Sequence, residues 1–194
     1  MEQLIFATSN EGKIKEIRAV LADTDYQVLS MAEAGIQIDI DENGADFEEN
    51  AIIKAKAVHG VSHTLVLADD SGLEIDYLDK APGVLSARFM GEDTSYEIKN
   101  QELLNRLAGV PKEQRTARFV CVIAAVFPDG RCVTVRETME GYIGWEARGE
   151  QGFGYDPIFY VEPAGLSNGE LSMEEKNRLS HRGKALEAVK KELL

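Results

Sequence analysis

Two cysteines in 194 residues leave no room for a disulfide framework. Cys121 and Cys132 fall on the two arms of a hairpin turning at Pro128-Asp129-Gly130. A two-residue Asp129-Gly130 turn sets Cys121 opposite Thr138, so both read as free thiols. Long apolar runs are missing too. The longest, Phe119 to Phe127, has nine residues, about half of the ~18 that suggest a membrane span. Met1-Glu2-Gln3 lacks the basic start of a secretory leader, and no N-x-[ST] sequon occurs. A cytoplasmic location is the expectation. Basic charge is scarce, with 21 Lys and Arg against 34 Asp and Glu, a net charge of −13. That excludes a wrapper of nucleic acid or a binder of anionic membrane. A small anionic ligand needs only a few local cations and stays open. The Walker pattern G-x-x-x-x-G-K-[ST] is absent, which argues against a P-loop kinase or GTPase.

The remainder is ordinary for a globular protein, with 44% apolar and 28% charged residues and no repeat or linker. Leu4 to Ala7 predicts a buried strand, and a helix follows the loop Thr8 to Lys13, running to about Ala22 with Ser9 or Asn10 as its cap. Tyr26 to Leu29 suggests a second strand. Another helix, about Asp46 to His59, has the apolar stripe Phe47, Ala51, Ala55, Val58. Leu65 to Ala68 reads as a short strand that stops at Asp69-Asp70-Ser71-Gly72, with a further strand over Leu73 to Leu78. Thr94 to Glu97 and Ser172 to Glu175 look like capping boxes. Thr116 to Thr138 forms a hairpin whose first arm is apolar on both faces, and Ser180 caps a last helix burying Leu186, Val189 and Leu193. The pattern is α/β with a mixed sheet. Residues 80–148 are hairpin-rich and form a candidate second lobe, with 1–79 and 149–194 making the other.

Five segments carry candidate chemistry. Thr8 to Lys13 runs from a strand into a helix start with a lysine in the first turn, a place suited to phosphate; a capped helix with a solvated lysine is the plain alternative. Asp69-Asp70 sits where α/β proteins place ligands and can hold Mg²⁺ or activate water. Neighbouring strand residues face opposite ways, so only one of the two points at a site. Asp39 to Gly44 imitates half of an EF-hand loop, but Asn50 stands where the bidentate Glu belongs, so calcium is rejected. Glu42 remains able to join Asp70 at a Mg²⁺ site. Gly149 to Pro157 is not a dinucleotide fingerprint; Phe153 between two glycines offers an open ring, and Asp156 an acceptor. Lys176 with Ser180-His181-Arg182 puts cations at a helix start, where they suit an anionic or carbonyl-rich ligand. His59 and His63 are four apart, but Gly60 argues against a continued helix, and no third metal ligand is near.

Thr8 to Lys13, Phe47 to Ala51, Lys54-Ala55, Ala68 to Leu73, Ala81-Pro82-Gly83, Ser86-Ala87-Arg88, Gly152 to Pro157 and Ser180-His181-Arg182 together resemble the inosine triphosphatase (dITP/XTP pyrophosphatase) family of noncanonical purine nucleoside triphosphate pyrophosphatases. The resemblance spans the chain in order. Ser9 replaces a common glycine, and residues 148–151 are poorer in Pro and Gly than usual. It implies a long mixed twisted sheet with flanking helices and two lobes around a substrate cleft, and a homodimer. The implied reaction is Mg²⁺-dependent hydrolysis of ITP, dITP or XTP to monophosphate and pyrophosphate. By the same resemblance Thr8, Ser9, Asn10, Glu11, Gly12 and Lys13 bind phosphates, with Lys54 beside them. Asp70 is proton acceptor and metal ligand, Glu42 the second metal ligand, and Ser71 a substrate contact. Phe153, Gly154, Tyr155, Asp156, Lys176, His181 and Arg182 form the nucleoside pocket. A non-catalytic nucleotide binder on the same fold is the alternative, and it would lack one of the carboxylates present here. A pyrimidine-directed relative is disfavoured by the Phe-Gly-Tyr-Asp and Ser-His-Arg elements.

Overall fold

The computed structural model describes residues 2–194, and the side chains of Met173 and Asn177 fall outside that description. Seven strands, β1 Glu2–Phe6, β2 Tyr26–Ser30, β3 Leu65–Ile75, β4 Thr116–Val126, β5 Cys132–Ile143, β6 Phe159–Val161 and β7 Leu166–Ser167, form one sheet in the order β2-β1-β3-β4-β5-β6-β7. The helices are α1 Glu11–Val20, α2 Phe47–Ser62, α3 Tyr96–Arg106, α4 Met173–Leu179 and α5 His181–Leu193. The sheet is mixed: β1 pairs parallel with β2 and β3, whereas β5–β6 and β6–β7 are antiparallel. The α/β expectation with a mixed sheet holds.

The chain divides into two compact units, one of residues 1–70, 121–137 and 182–194, the other of 71–120 and 138–181. In the first, α1 and α2 are the crossovers that parallel pairing of β1 with β2 and β3 requires. Its core gathers Leu4 and Phe6, Ile14 and Ile17 of α1, Leu65 and Leu67, Cys121 and Ile123, and Leu186 and Val189 of α5. The stripe read for α2 is buried as expected, and Asn50 is buried with it. The helix does not stop before Gly60 but runs to Ser62, where His63 closes it in the left-handed conformation. One glycine near a helix end costs only about 1 kcal/mol. The β4–β5 turn is not a two-residue one. Phe127 N–H bonds to Arg131 O and Gly130 N–H to Phe127 O, with Gly130 at φ +86°, a three-residue loop.

In the second unit the core is Leu73, Ile75, Leu103, Leu107, Phe119, Met139, Ile143, Ile158, Phe159 and Leu171. Segment 149–181, read from sequence as part of the first lobe, belongs here because Tyr155, Ile158, Phe159 and Val161 join this core. The strands β6 and β7 were not anticipated: at three and two residues they are too short to show a period. The α3 cap is Ser95, whose hydroxyl meets Ile98 N–H, not Thr94, whose hydroxyl donates to Met90 O instead. The Ser172–Glu175 capping box forms as predicted. Arg115, fully buried, donates to the carbonyls of Leu107 (2.6 Å), Val110 (3.3 Å), Ile143 (2.7 Å) and Gly144, joining the end of α3 to the end of β5.

Candidate active site

In the first unit, β1 leads directly into the α1 cap. Asn10 Oδ1 accepts from Gly12 N–H (2.9 Å) and Lys13 N–H (3.2 Å), and Asn10 N–H bonds to Thr8 Oγ1 (3.1 Å). A β-carbon at Gly12 would press on Asn10 Oδ1 at 3.1 Å, so the glycine keeps this cap tight. Thr8 is half-buried, and Ser9, Asn10, Glu11 and Gly12 are exposed at the helix start, where unpaired N–H groups and the helix dipole favour an anion.

The sequence reading ended a strand at Ala68 and put 69–72 in a turn. The structure corrects this: β3 runs unbroken from Leu65 to Ile75, and Asp76 to Leu78 is a 3-10 turn. Alternation along a continuous strand then separates the two carboxylates. Asp69 turns inward, 1% exposed, and its Oδ2 meets Lys13 Nζ at 2.6 Å. Arg182 Nε lies 4.0 Å from the same oxygen, and Lys54 Nζ donates to the Asp69 backbone carbonyl (2.9 Å). Burial is the largest influence on the Asp69 carboxyl and pushes its pKa up, but Lys13, Arg182 and Lys54 outweigh it and hold the group below the usual carboxylate range. Beneath them, burial first and Asp69 second push the Cys121 thiol far up, so it stays protonated and inert.

Asp70 is half-buried and accepts from Asn50 Nδ2 (3.1 Å). Asn50 Oδ1 in turn accepts from Gly44 N–H (2.8 Å), which ties the irregular acidic segment to α2. A β-carbon on Gly44 would fall 2.7 Å from Asn50 Oδ1. Glu42, in that segment, pairs with Lys54 Nζ at 2.9 Å. Asn50 was not singled out from sequence, although its spacing of four from Lys54 puts both on one face of α2. The structure thus gathers Lys13, Lys54, Glu42, Asp69, Asp70 and Arg182 in the first unit.

The second unit holds the other candidates. Phe153 is 72% exposed on the loop 149–155. Its N–H bonds to Asp156 Oδ2 (3.0 Å), which also takes Lys176 Nζ (2.5 Å); Asp156 Oδ1 takes Asn168 Nδ2 (3.1 Å). Gly152 stands at φ +82°, where an L side chain is strained, and the place of a β-carbon lies against Lys176 Nζ and Asp156 Oδ2. Asp156 is buried and serves the loop itself. Gly154 O accepts from Asn100 Nδ2 (3.1 Å), a support absent from the sequence reading. The Tyr155 hydroxyl donates to Ser86 O (2.6 Å), its ring meets Tyr96 edge-on at 5.2 Å, and burial pushes its pKa up. The His181 ring stacks on Phe119 at 5.3 Å and 15°. Ser71 follows Asp70 on β3 and is half-buried.

Among the described residues no group of three or more His, Cys, Asp and Glu can hold a metal. His59 instead has its Nδ1 2.8 Å from Thr64 O. Glu42 and Asp70 supply oxygen donors only, which suits Mg²⁺, an ion that keeps waters and shares phosphate oxygens and needs no protein cage. The residues present fit that ion. No helix among the described residues is long and apolar enough to cross a membrane.

Comparison with known proteins agrees with the motifs. A Ham1 family model matches residues 4–192. The chain is 48% identical over 191 residues to a dITP/XTP pyrophosphatase of Bacillus subtilis (98% of this chain, 96% of that one). It is 50% identical over 184 residues to one of Desulforamulus reducens (95% and 92%). The fold superposes on the Staphylococcus aureus Ham1 protein with a TM-score of 0.92 at 39% identity (99% and 98% covered). For a HAM1 protein of Coxiella burnetii the TM-score is 0.93 at 38% identity (100% and 98%). Matched from end to end in sequence and in backbone, this chain belongs to the Ham1 family.

Proposed function

We propose that this chain hydrolyses noncanonical purine nucleoside triphosphates (ITP, dITP and XTP) to the monophosphate and pyrophosphate. The observation that carries the reading is the first-unit cluster: Lys13, Lys54 and Arg182 around Asp69, with Asp70 at the next position of the strand. Relatives named dITP/XTP pyrophosphatase at 46–50% identity support the substrate class.

The chemistry follows from the side chains. Asp70 accepts a proton from a water whose oxygen attacks the α-phosphorus. The bond from that phosphorus to the α,β-bridging oxygen breaks, and pyrophosphate leaves. Lys13, Lys54 and the N–H groups at the start of α1 donate to the phosphate oxygens and offset the charge that grows on the leaving group. Asn50, bonded to Asp70 Oδ2, holds the carboxylate in one orientation. Glu42 and Asp70 would hold Mg²⁺, and that ion, when bound, supplies further positive charge to the phosphates. Phe153 offers its exposed ring to the base, and Ser71, Gly154 and Lys176 belong to the same nucleoside contacts. A donor from the backbone, His181 or Arg182 pairs with the six-carbonyl of hypoxanthine or xanthine and is left unpaired by the amine of adenine, a cost that rejects ATP. A homodimer in the cytoplasm completes the reading; free Cys121 and Cys132 suit a reducing compartment.

The test is pyrophosphate release from ITP, dITP, XTP, GTP and ATP, with Mg²⁺ and with a chelator. Fast Mg²⁺-dependent turnover of the first three, with GTP and ATP slow, is expected. Binding of ITP with no turnover of any nucleotide would assign the chain to the non-catalytic alternative.

A further inference from the structure

Of the six charged groups gathered at the site of the first unit, the mechanism leaves one without a task. Asp69 is 1% exposed, so it meets neither solvent nor a ligand. Yet it is surrounded by cations that stay accessible: the Lys13, Lys54 and Arg182 side chains are 20%, 15% and 13% exposed. A carboxylate stripped of water gives a fold little net stability even when paired, and apolar packing often does better. Its neighbours suggest what it does instead. An ammonium has three N–H donors. Lys13 gives one of them to Asp69 at 2.6 Å, which anchors it from the interior side and leaves two for a ligand. Lys54 is fixed by the Asp69 backbone carbonyl and by Glu42. The buried Arg182 Nε has no hydrogen-bond partner among the described residues and lies 4.0 Å from Asp69 Oδ2, so charge rather than a bond draws it in.

We propose that Asp69 is a positioning residue: a sunken counter-ion that holds Lys13 in place to receive the polyphosphate chain of the substrate and, through charge, keeps Arg182 beside it. It rests on the reading of the first unit as a polyphosphate site. Glu42 pairs with Lys54 and Glu16 lies 3.4 Å from Arg182, so what Asp69 adds is the order of the cations and not the net charge of the cluster. A site prepared in this way loses less freedom when the ligand arrives.

The probe is inorganic tripolyphosphate, titrated calorimetrically at fixed Mg²⁺ into the wild type, Asp69→Asn, Lys13→Met and the double variant. If Asp69 acts through Lys13, Asp69→Asn weakens binding about tenfold in the wild-type background and less than about threefold once Lys13 is Met. With dITP, kcat/KM falls by a similar factor, because Lys13 both binds the phosphates and offsets the charge that grows on the leaving group. Unchanged affinity in Asp69→Asn, or an equal loss with and without Lys13, overturns the proposal, as does a wild type that does not bind tripolyphosphate. Should Asp69→Asn fail to fold, Asp69→Glu moves the charge by one methylene and is held to the same two criteria. A wild type that binds tripolyphosphate but turns over no nucleotide refutes the proposed activity and leaves this inference standing.

Discussion

The two units hold their candidate residues in different ways. In the first, every one of the charged groups except Glu42 stands on or at the end of a regular element: Lys13 on α1, Lys54 on α2, Asp69 and Asp70 on β3, Arg182 on α5. Their partners are mostly one another. In the second, Phe153 rides on a loop, and the loop is held by Asp156, Lys176, Asn168 and Asn100 beneath it. A charge that must meet a phosphate oxygen needs a fixed place, because electrostatic stabilisation depends on preorganised groups. A ring that stacks on a planar base tolerates sliding, so a loop serves. The first unit is therefore expected to respond to substitution in turnover, and the second in affinity and stability.

The sharpest break in that contrast is Asp70→Asn. Turnover should fall by about 10³-fold or more, with the melting temperature nearly unchanged, since the amide keeps the shape at a half-buried position. Pyrophosphate release and a thermal melt on the same preparation check both halves. Asp156→Ala is the counterpart in the second unit. It strips Phe153 N–H, Lys176 and Asn168 of their acceptor, and unfolding by urea should show a loss of about 2–3 kcal/mol. If Asp156→Ala instead kept full stability and lost only kcat, the contrast would fail.

A smaller effect is expected at Phe153→Ala. Removing an exposed ring costs the fold nothing, and the lost stacking, about 1–3 kcal/mol per base, should raise KM for dITP roughly tenfold with kcat kept. The smallest effect concerns acid. Asp76 in the second unit is bonded by Arg118, Lys80 and Thr116, and chiefly the Arg118 bond holds its carboxyl well below the usual range. A carboxyl depressed in the fold adds stability that is present above its unfolded value of ~3.9 and disappears as pH falls through the folded value. Urea midpoints of wild type and Asp76→Asn should therefore differ at pH 6 and converge toward pH 2.

Much of this was legible in the sequence. The Phe47, Ala51, Ala55, Val58 stripe, the Asn10 cap and the Ser172 box are local signals, and local physics decided them. The continuity of β3 was not legible, because Asp-Asp-Ser-Gly is turn-like in isolation; what holds it in the sheet is pairing and the burial of Asp69 against cations distant in sequence. For the same reason the supporting bonds of Asn50, Asn100 and Asn168 escaped notice. Their meaning lies in partners 20, 54 and 12 residues away. The membership of Lys54 in the site came from family resemblance; the segment alone left Glu42 open between a partner of Asp70 and a solvated acidic loop.

Arg115 has a consequence for how the molecule comes apart. Its guanidinium is answered by four backbone carbonyls and no carboxylate. Burial lowers its pKa, but from so high a start that the proton stays. Neither side of this joint can be switched off by adding protons. As acid discharges Asp69 and Asp76 and their ion pairs loosen, the seam between the end of α3 and the end of β5 keeps every bond it had. Amide exchange at pH 2 should find it among the slowest places in the chain: a rivet without a pH.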